Sequence, residues 1–122
     1  MEKNCISAAF KINYDGRIFT PQKNSENGEV DGRTIFSYHQ SGNMLWADYS
    51  GGEIVRGHLL GTVAEDGTLD FHYQHINAGG QVRIGRCRSV PQITESGKFE
   101  LHETWQWLNG DNSHGNSVLI EL

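Results

Sequence analysis

Alternation in the segment Leu101–Trp107 puts one acidic and two aromatic side chains on the same side of a strand. Glu103, Trp105 and Trp107 are two residues apart, and successive side chains of an extended chain point to opposite faces. Two indoles can form the wall of a pocket, and a carboxylate beside them can orient a polar or cationic group. The competing interpretation is structural: the tryptophans fill a core, and Glu103 pairs with an internal arginine.

A second group of polar side chains occurs in the segment Phe71–His75. His72 and His75 are three residues apart, so on a strand they face opposite sides and cannot bind the same metal ion. A zinc site needs three or four convergent ligands, and we predict no bound metal. His75 could instead act as an acid–base group with Glu103 or Asp48. The alternative for His75 is a buried histidine that is held by hydrogen bonds.

Motifs for other kinds of chemistry are missing from the sequence. It contains no G-x-S-x-G nucleophile elbow, and its Gly-Gly pairs are turn residues rather than a phosphate-binding loop before a helix. We therefore predict no cofactor. If the protein is an enzyme, the candidate catalytic residues are His75, Glu103 and Asp48.

Turn signals recur along the chain, and the segments between them are rich in β-branched and aromatic residues. Pairs such as Asp66-Gly67 and Ser96-Gly97 tolerate the positive φ of tight turns. Only residues 1–10 could accommodate a short helix. The predicted strands are Lys11–Tyr14, Arg17–Asn24, Thr34–Gln40, Met44–Ser50, Glu53–Ala64, Thr68–Asn77, Gln81–Gln92, Lys98–Leu108 and Ser117–Leu122.

Short connections between these strands force antiparallel neighbours. A long meander has two exposed edges, and closure of the sheet removes them. We therefore predict an all-β fold, an antiparallel up-and-down meander of about eight strands that closes into a small barrel. A two-layer sandwich needs longer crossovers than the sequence offers. The length of 122 residues fits one domain, so we place a single barrel domain over residues 1–122.

The turns also predict which side chains face the interior of the barrel. A turn centred on Asp66-Gly67 places Leu59 opposite Tyr73 and Gly57 opposite His75, and opposite residues share a face. The same reasoning, applied to the hairpin whose turn is Glu95-Ser96-Gly97, places Glu103 on the inward face. The predicted interior lining is Phe36, Tyr38, Trp46, Asp48, Leu59, Phe71, Tyr73, His75, Cys87, Glu103, Trp105 and Trp107.

Two further turns complete this lining. A turn at Gly51-Gly52 brings Trp46 and Asp48 inside. The preceding turn pairs Tyr38 with Trp46, but a slip of one residue would place His39 inside instead. Buried Asp, His and Glu side chains are costly unless they have partners, so their presence in the lining indicates a functional pocket.

Charge and hydropathy exclude two classes of partner. The 15 acidic residues outnumber the 10 basic residues, and the formal net charge is −5. Binding to nucleic acids or to anionic membranes needs clustered Lys and Arg, so we predict neither. No apolar run approaches the roughly 20 residues of a membrane span, and residues 1–10 lack the apolar stretch of a signal peptide, so we expect a cytoplasmic protein. The oligomeric state is left open.

Segments along nearly the whole chain from Tyr14 are similar to a family of small bacterial proteins that often carries the label N-acetylglutamate synthase. They are Tyr14-Asp15-Gly16-Arg17, Asn27-Gly28-Glu29-Val30, Tyr49-Ser50-Gly51-Gly52, Tyr73-Gln74-His75, Gly85-Arg86-Cys87-Arg88-Ser89 and Glu103-Thr104-Trp105-Gln106-Trp107. That label implies acetyl transfer to glutamate. The loop [RQ]-x-x-G-x-[GA] of common acetyltransferases, which opens a helix, does not occur in the sequence. The predicted architecture also resembles lipocalin-like and avidin-like barrels.

These observations lead to three functional hypotheses. The first is a barrel that binds a small molecule in an aromatic, partly ionisable pocket. The second is an enzyme that uses His75 with Glu103 or Asp48, and it includes acetyl transfer as a special case. The third is a structural protein whose tryptophans only fill the core. The predicted ligand-binding residues are Tyr38, Trp46, Tyr73, His75, Glu103, Trp105 and Trp107.

Overall fold

Eight antiparallel strands form a closed barrel in the computed structural model, which describes residues 12–122. They are β1 (Ile18–Asn24), β2 (Ile35–Ser41), β3 (Met44–Gly51), β4 (Ile54–Val63), β5 (Leu69–Asn77), β6 (Val82–Ile93), β7 (Phe99–Trp107) and β8 (His114–Glu121). Each strand pairs with the next in the chain, and β1 also pairs with β8. The predicted all-β meander and its closure into a barrel are confirmed.

Glycine turns connect several of these strands. Gly67 in the β4–β5 turn has a φ of +89°, and Gly97 in the β6–β7 turn has a φ of +81°. This left-handed backbone is strained for residues with a Cβ atom, which explains why glycine occupies both turns.

The registers that the sequence predicts for these two hairpins are confirmed. Leu59 lies opposite Tyr73 across β4 and β5, and Ser89 lies opposite Glu103 across β6 and β7. Leu59, Ser89 and Glu103 are buried. The inward face of four consecutive strands therefore follows from the two turns.

The register between β3 and β4 differs from the prediction, and the difference turns the side chains of β3 over. Trp46 lies opposite Leu60, which is 53% exposed on the outer surface. Val55 is left out of both neighbouring ladders and forms a bulge in β4. The turn lies at Gly52-Glu53 rather than at Gly51-Gly52, and the extra residue of the bulge then moves each partner to the other face. The predictions that Trp46 and Asp48 line the interior are therefore wrong.

The uncertain assignment in β2 is resolved in favour of Tyr38. Tyr38 lies opposite Ala47, and both are fully buried. His39 lies opposite Trp46 on the outer surface, where the two rings stack with centroids 5.5 Å apart. The faces to which the side chains of β2 point were predicted correctly, although the residues opposite them in β3 were not.

An aromatic cluster closes one end of the barrel. The predicted strand Lys11–Tyr14 does not form over residues 12–14. Tyr14 is instead buried, and its hydroxyl donates to the carbonyl oxygen of Gly67 at 2.6 Å. The ring centroids of Phe19 and Tyr38 lie 6.5 and 6.1 Å from that of Tyr14. Residues 1–11, including the segment considered for a short helix, lie outside the described residues.

Candidate functional site

A pocket lies at the end of the barrel opposite the Tyr14 cluster, under the loop that joins β1 to β2. Its cavity has a volume of about 50 Å³, within about 440 Å³ of unfilled space that includes the mouth. A buried water needs about 10–15 Å³, so the cavity holds a few waters or a ligand group of a few atoms. The lining residues are Asn24, Gly28, Glu29, Val30, Phe36, Tyr49, Leu59, Phe71, Tyr73, His75, Cys87, Glu103, Trp105, Trp107 and Ser117.

Aromatic rings form much of the wall of this pocket. The ring centroids of Trp105 and Trp107 are 5.4 Å apart and tilted by 61°, and Tyr73 lies 5.7 Å from Trp107. Two glycines make room for these rings, because a Cβ atom on Gly85 would overlap Tyr73 and one on Gly115 would overlap Trp105. The wall therefore depends on glycines of the neighbouring strands as well as on the aromatic residues.

Glu103 supplies a carboxyl group inside the barrel. The residue is 8% exposed, and its Oε1 accepts a hydrogen bond from Ser117 Oγ at 2.9 Å. Its Oε2 is buried and has no hydrogen-bond partner among residues 12–122. In the same range, no salt bridge to an arginine forms, in contrast to the structural interpretation of the sequence. Burial raises the pKa of Glu103 to about 7, although interactions with the side chains of Ser117, Ser89 and Cys87 lower it in part.

His75 is held in one orientation by two hydrogen bonds. It is 3% exposed, with Tyr49 Oη 2.9 Å from its Nδ1 and Glu29 Oε1 2.8 Å from its Nε2. Burial lowers the pKa of His75, and the hydrogen bond to Glu29 opposes that effect without cancelling it. Because the pKa of Glu29 is held below its usual value, its carboxylate can only accept a hydrogen bond at Nε2, and the hydroxyl of Tyr49, which burial keeps protonated, donates to Nδ1. The neutral imidazole therefore carries its proton on Nε2 and donates it to Glu29.

Glu29 lies on the loop at the mouth and connects it to the barrel. Its Oε2 accepts a hydrogen bond from Arg83 Nη1 at 2.6 Å, and Asn77 Nδ2 lies 3.3 Å from Oε1. Burial acts to raise the pKa of Glu29, but the hydrogen bonds from His75 and Asn77 and the charge of Arg83 outweigh it and hold this pKa below its usual value. The loop is also fixed by Trp107, whose Nε1 donates to the carbonyl oxygen of Asn27 at 3.0 Å.

Sequence reasoning missed several residues of this site, and the most important of them are Glu29, Tyr49 and Arg83. Glu29 follows a turn signal in a segment without periodicity, so nothing in its surroundings indicates where it points. Arg83 belongs to a strand with two further arginines and resembled one of a set of solvated charges. In the structure its guanidinium stacks on Trp107, with Cζ 3.9 Å from the ring centroid. Tyr49 was missed because of the register error in β3.

The predicted ligand-binding residues separate into two groups. Tyr73, His75, Glu103, Trp105 and Trp107 line the pocket together. Tyr38 is buried in the cluster at the closed end, and its hydroxyl has no partner among the described residues. Trp46 lies on the outer surface.

The three candidate catalytic residues are not joined by hydrogen bonds. Asp48 is outside the barrel, where its Oδ1 lies 3.1 Å from His58 Nδ1. His75 and Glu103 share the pocket, but their hydrogen bonds go to different partners. An acid–base pair of His75 and Asp48 is therefore excluded by the geometry.

Two further properties concern metals and membranes. Over residues 12–122, no three His, Cys, Asp or Glu side chains are grouped closely enough to hold a metal ion. The same part of the chain has no helix with the length and apolar character that a membrane crossing requires.

Comparison with known proteins identifies the family. Neither the curated proteins nor the solved structures gave a significant match to this chain. A family model described as "Avidin-like protein" matches residues 12–122, which is nearly the whole chain and includes all eight strands. With the closed antiparallel barrel and its interior pocket, this match shows that the chain belongs to the avidin-like protein family.

Proposed function

We propose that this protein binds a small organic molecule in the interior pocket. The body of the ligand would pack against Trp105, Trp107 and Tyr73, and a polar group would reach Glu103. Membership of the avidin-like family supports the class of function. The observation that carries the proposal is the carboxyl of Glu103, which is buried in the pocket and whose Oε2 has no hydrogen-bond partner of good geometry in residues 12–122, although the side chains of Ser89 and Cys87 lie close to the carboxyl.

A buried oxygen of this kind lowers the stability of the folded protein, so it is unusual in an interior that serves stability alone. Leaving a buried polar group unsatisfied costs about 1–3 kcal/mol, and more for a charged group. A ligand with an N–H or O–H group could donate to Oε2 and remove that cost. Bound ligand would then favour the ionised carboxylate and lower the pKa of Glu103 from its value of about 7.

The size of the cavity places a condition on binding. A cavity of about 50 Å³ is much smaller than the roughly 300–1,000 Å³ of common ligand pockets. A ligand larger than a few atoms must therefore displace the β1–β2 loop. Besides the side chain of Glu29 and the carbonyl of Asn27, the loop is held by Asn27 Nδ2, which donates to Ser113 and to the carbonyl of His114, and by Ser25, which pairs with Asn116. Displacement of the loop therefore breaks several hydrogen bonds, and the ligand must compensate for them.

Tryptophan fluorescence tests the proposal, because the chain has only three tryptophans. In a Trp46→Phe variant, the remaining indoles are Trp105 and Trp107, which both line the pocket. We expect at least one compound of a broad metabolite panel to change the emission of this variant and to raise its melting temperature. A panel that leaves both quantities unchanged would contradict the proposal.

Two carboxylate variants provide the matched comparison. Glu103→Gln alters the pocket carboxyl, whereas Asp48→Asn alters a carboxylate on the outer surface. We expect the first to weaken binding of a panel ligand by at least about tenfold, which corresponds to about 1.4 kcal/mol, and the second to leave it unchanged. Equal effects of the two variants on ligand affinity would show that Glu103 does not contact the ligand.

An enzymatic function is the second candidate, and one observation favours it. Tyr49, His75 and Glu29 form a continuous series of hydrogen bonds that fixes the protonation of a buried histidine. Such a histidine can act as an acid–base group on a molecule in the pocket. Incubation with acetyl-CoA and glutamate tests the acetyl transfer that the label N-acetylglutamate synthase implies. Product that disappears in a His75→Asn variant would support this candidate, and the absence of product would exclude that reaction.

A further inference from the structure

The carboxylate of Glu29 occupies a set of hydrogen-bond donors at the mouth of the pocket. Nε2 of His75, Nη1 of Arg83 and Nδ2 of Asn77 all point at its two oxygens, at 2.8, 2.6 and 3.3 Å. The three donors come from β5 and β6, whereas Glu29 comes from the loop between β1 and β2. A rigid part of the barrel thus binds an acid that is supplied by a different part of the chain.

Each donor is held in place by contacts that do not involve Glu29. His75 is 97% buried and is fixed by Tyr49. Asn77 is oriented through its Oδ1, which accepts a hydrogen bond from the backbone N–H of Gln81 at 2.9 Å. The site would therefore keep its shape if Glu29 moved away.

The guanidinium of Arg83 is also held in place, and one of its N–H groups has no hydrogen-bond partner among residues 12–122. It lies over the ring of Trp107, and its Nε is buried without a partner among residues 12–122. Its side chain is 19% exposed. An acceptor with a second oxygen could reach this additional N–H group, because guanidinium groups commonly bind carboxylates with two parallel hydrogen bonds.

We propose that this set of donors is a carboxylate-binding site of the pocket, and that Glu29 occupies it as the protein's own competitor. The ligand it would take is a small organic acid whose carboxylate stays at the mouth while its body extends towards Trp107 and Tyr73. This inference rests on the proposed function and specifies the chemical class of the ligand. When the acid binds, Glu29 swings out with the loop and its carboxylate returns to water.

The donor set discriminates between classes of ligand. Three donors converge and, among residues 12–122, the acceptor they share is the carboxylate of Glu29. A cationic group would meet the positive charge of Arg83. A neutral amide would offer one acceptor oxygen without charge, and hydrogen bonds to ionised groups are roughly twice as strong as neutral ones. Carboxylates are therefore favoured over cations and over neutral isosteres.

Benzoate and benzamide are suitable probes, because they have the same ring and differ in the charge of the head group. Binding to the full-length protein is measured by calorimetric titration. We expect Glu29→Gln to bind benzoate at least about tenfold more tightly than the unchanged protein does, because the competing anion is gone. The gain for benzamide should be smaller than that for benzoate. Replacing Arg83 by Gln in the Glu29→Gln background should abolish the gain for benzoate.

Two outcomes would overturn this inference. Equal gains for benzoate and benzamide would show that Glu29 is only a latch that limits access to the pocket. No gain for benzoate in either Glu29→Gln or Glu29→Ala would show that the donors do not form a ligand site. Melting temperatures of all variants establish that they are folded, and Arg83→Met, which keeps an apolar stem and removes the charge, replaces Arg83→Gln if the latter does not fold.

Acetate separates this inference from the proposed function, because it is small enough to stay at the mouth. Suppose that acetate binds in a way that depends on Arg83, while no compound of the panel enters the pocket. That result would support the carboxylate site at the mouth and refute the proposed binding of a ligand in the interior pocket. A panel ligand whose affinity is the same in the Glu29 and Arg83 variants would refute the mouth site alone.

Discussion

Tyr49 Oη lies 2.9 Å from Nδ1 of His75, and this contact, together with the contact of Glu29 at Nε2, determines which nitrogen of the imidazole carries the proton. Because burial raises the pKa of Tyr49, the hydroxyl stays protonated and donates to Nδ1. The proton of the neutral ring is then on Nε2, where Glu29 accepts it at 2.8 Å. A tyrosine on β3 thereby supports a hydrogen bond at the mouth of the pocket.

Replacement of Tyr49 by Phe tests this assignment. We expect the ¹⁵N chemical shifts of His75 to report an Nε2–H tautomer in both proteins, because the carboxylate of Glu29 still requires a donor, and we expect the Nδ1 shift of Tyr49→Phe to change to that of a nitrogen that accepts no hydrogen bond. Loss of the hydrogen bond should also lower the free energy of unfolding by about 1–3 kcal/mol, because Nδ1 is left buried without a donor. Tyr73→Phe is the control, since the ring of Tyr73 stacks on His75 with centroids 6.5 Å apart and its hydroxyl makes no hydrogen bond to His75. A change of the Nδ1 chemical shift in both variants would contradict the assignment.

Glu103 should make the protein less stable as the pH rises. Its pKa is about 7 in the folded state against an ordinary value of 4.5, so the folded protein binds the proton more tightly than the unfolded chain does. Stability that is present below pH 4.5 is therefore lost between about pH 4.5 and pH 7, by up to about 3 kcal/mol for a shift of this size. Urea denaturation of Glu103→Gln should not show this decline. The free energy of unfolding of the variant should therefore rise relative to that of the unchanged protein as the pH increases. A difference between the two proteins that is constant across this range would be inconsistent with a neutral buried carboxyl.

Glu29 should have the opposite effect. Its pKa is held below the ordinary value, so the stability it contributes is present above that ordinary value and is lost as the pH falls through the folded pKa. Compared with Glu29→Gln, the unchanged protein should therefore lose stability more steeply on acidification. Hydrogen exchange of the loop amides, followed between neutral and acidic pH, should show the same loss locally. Equal acid sensitivity of the two proteins would mean that the contacts of Glu29 do not persist in solution.

The glycines behind the aromatic wall should be intolerant of a methyl group. Gly85→Ala would force Tyr73 out of position, and Gly115→Ala would do the same to Trp105. We expect each to lower the free energy of unfolding by about 1–3 kcal/mol, as is common for overpacked interiors, and to shift tryptophan emission. Gly79→Ala is the matched control, because the nearest atom to an added Cβ there is a side-chain oxygen at 3.4 Å. Equal effects at the three positions would show that the wall is not tightly packed.

The fold was predictable from the sequence because its hairpins have short turns with strong residue preferences. The turn at Gly67 fixed the register of β4 and β5, and that register put Tyr73 and His75 inside as predicted. The orientation of Trp46 was not predictable, because the bulge at Val55 has no sequence signal and one inserted residue reverses the parity of a strand.

The pocket itself was only partly predictable, for a different physical reason. Glu103, Trp105 and Trp107 alternate on one strand, so their common face follows from the geometry of an extended chain. Glu29 lies on a loop, and its contacts with His75 and Arg83 join residues 46 and 54 positions apart in the chain. Contacts of this kind depend on how the closed barrel brings the loop over the mouth, and no local pattern in the sequence encodes them.

A crystallographic screen, with crystals soaked in the compounds of the metabolite panel, tests the central claim most directly. The proposed function predicts electron density for at least one compound inside the barrel, against Trp105 and Trp107, with a donor within hydrogen-bond distance of Glu103 Oε2. Density for water alone in the pocket across the whole panel, or compounds bound only on the outer surface of the barrel, would contradict it.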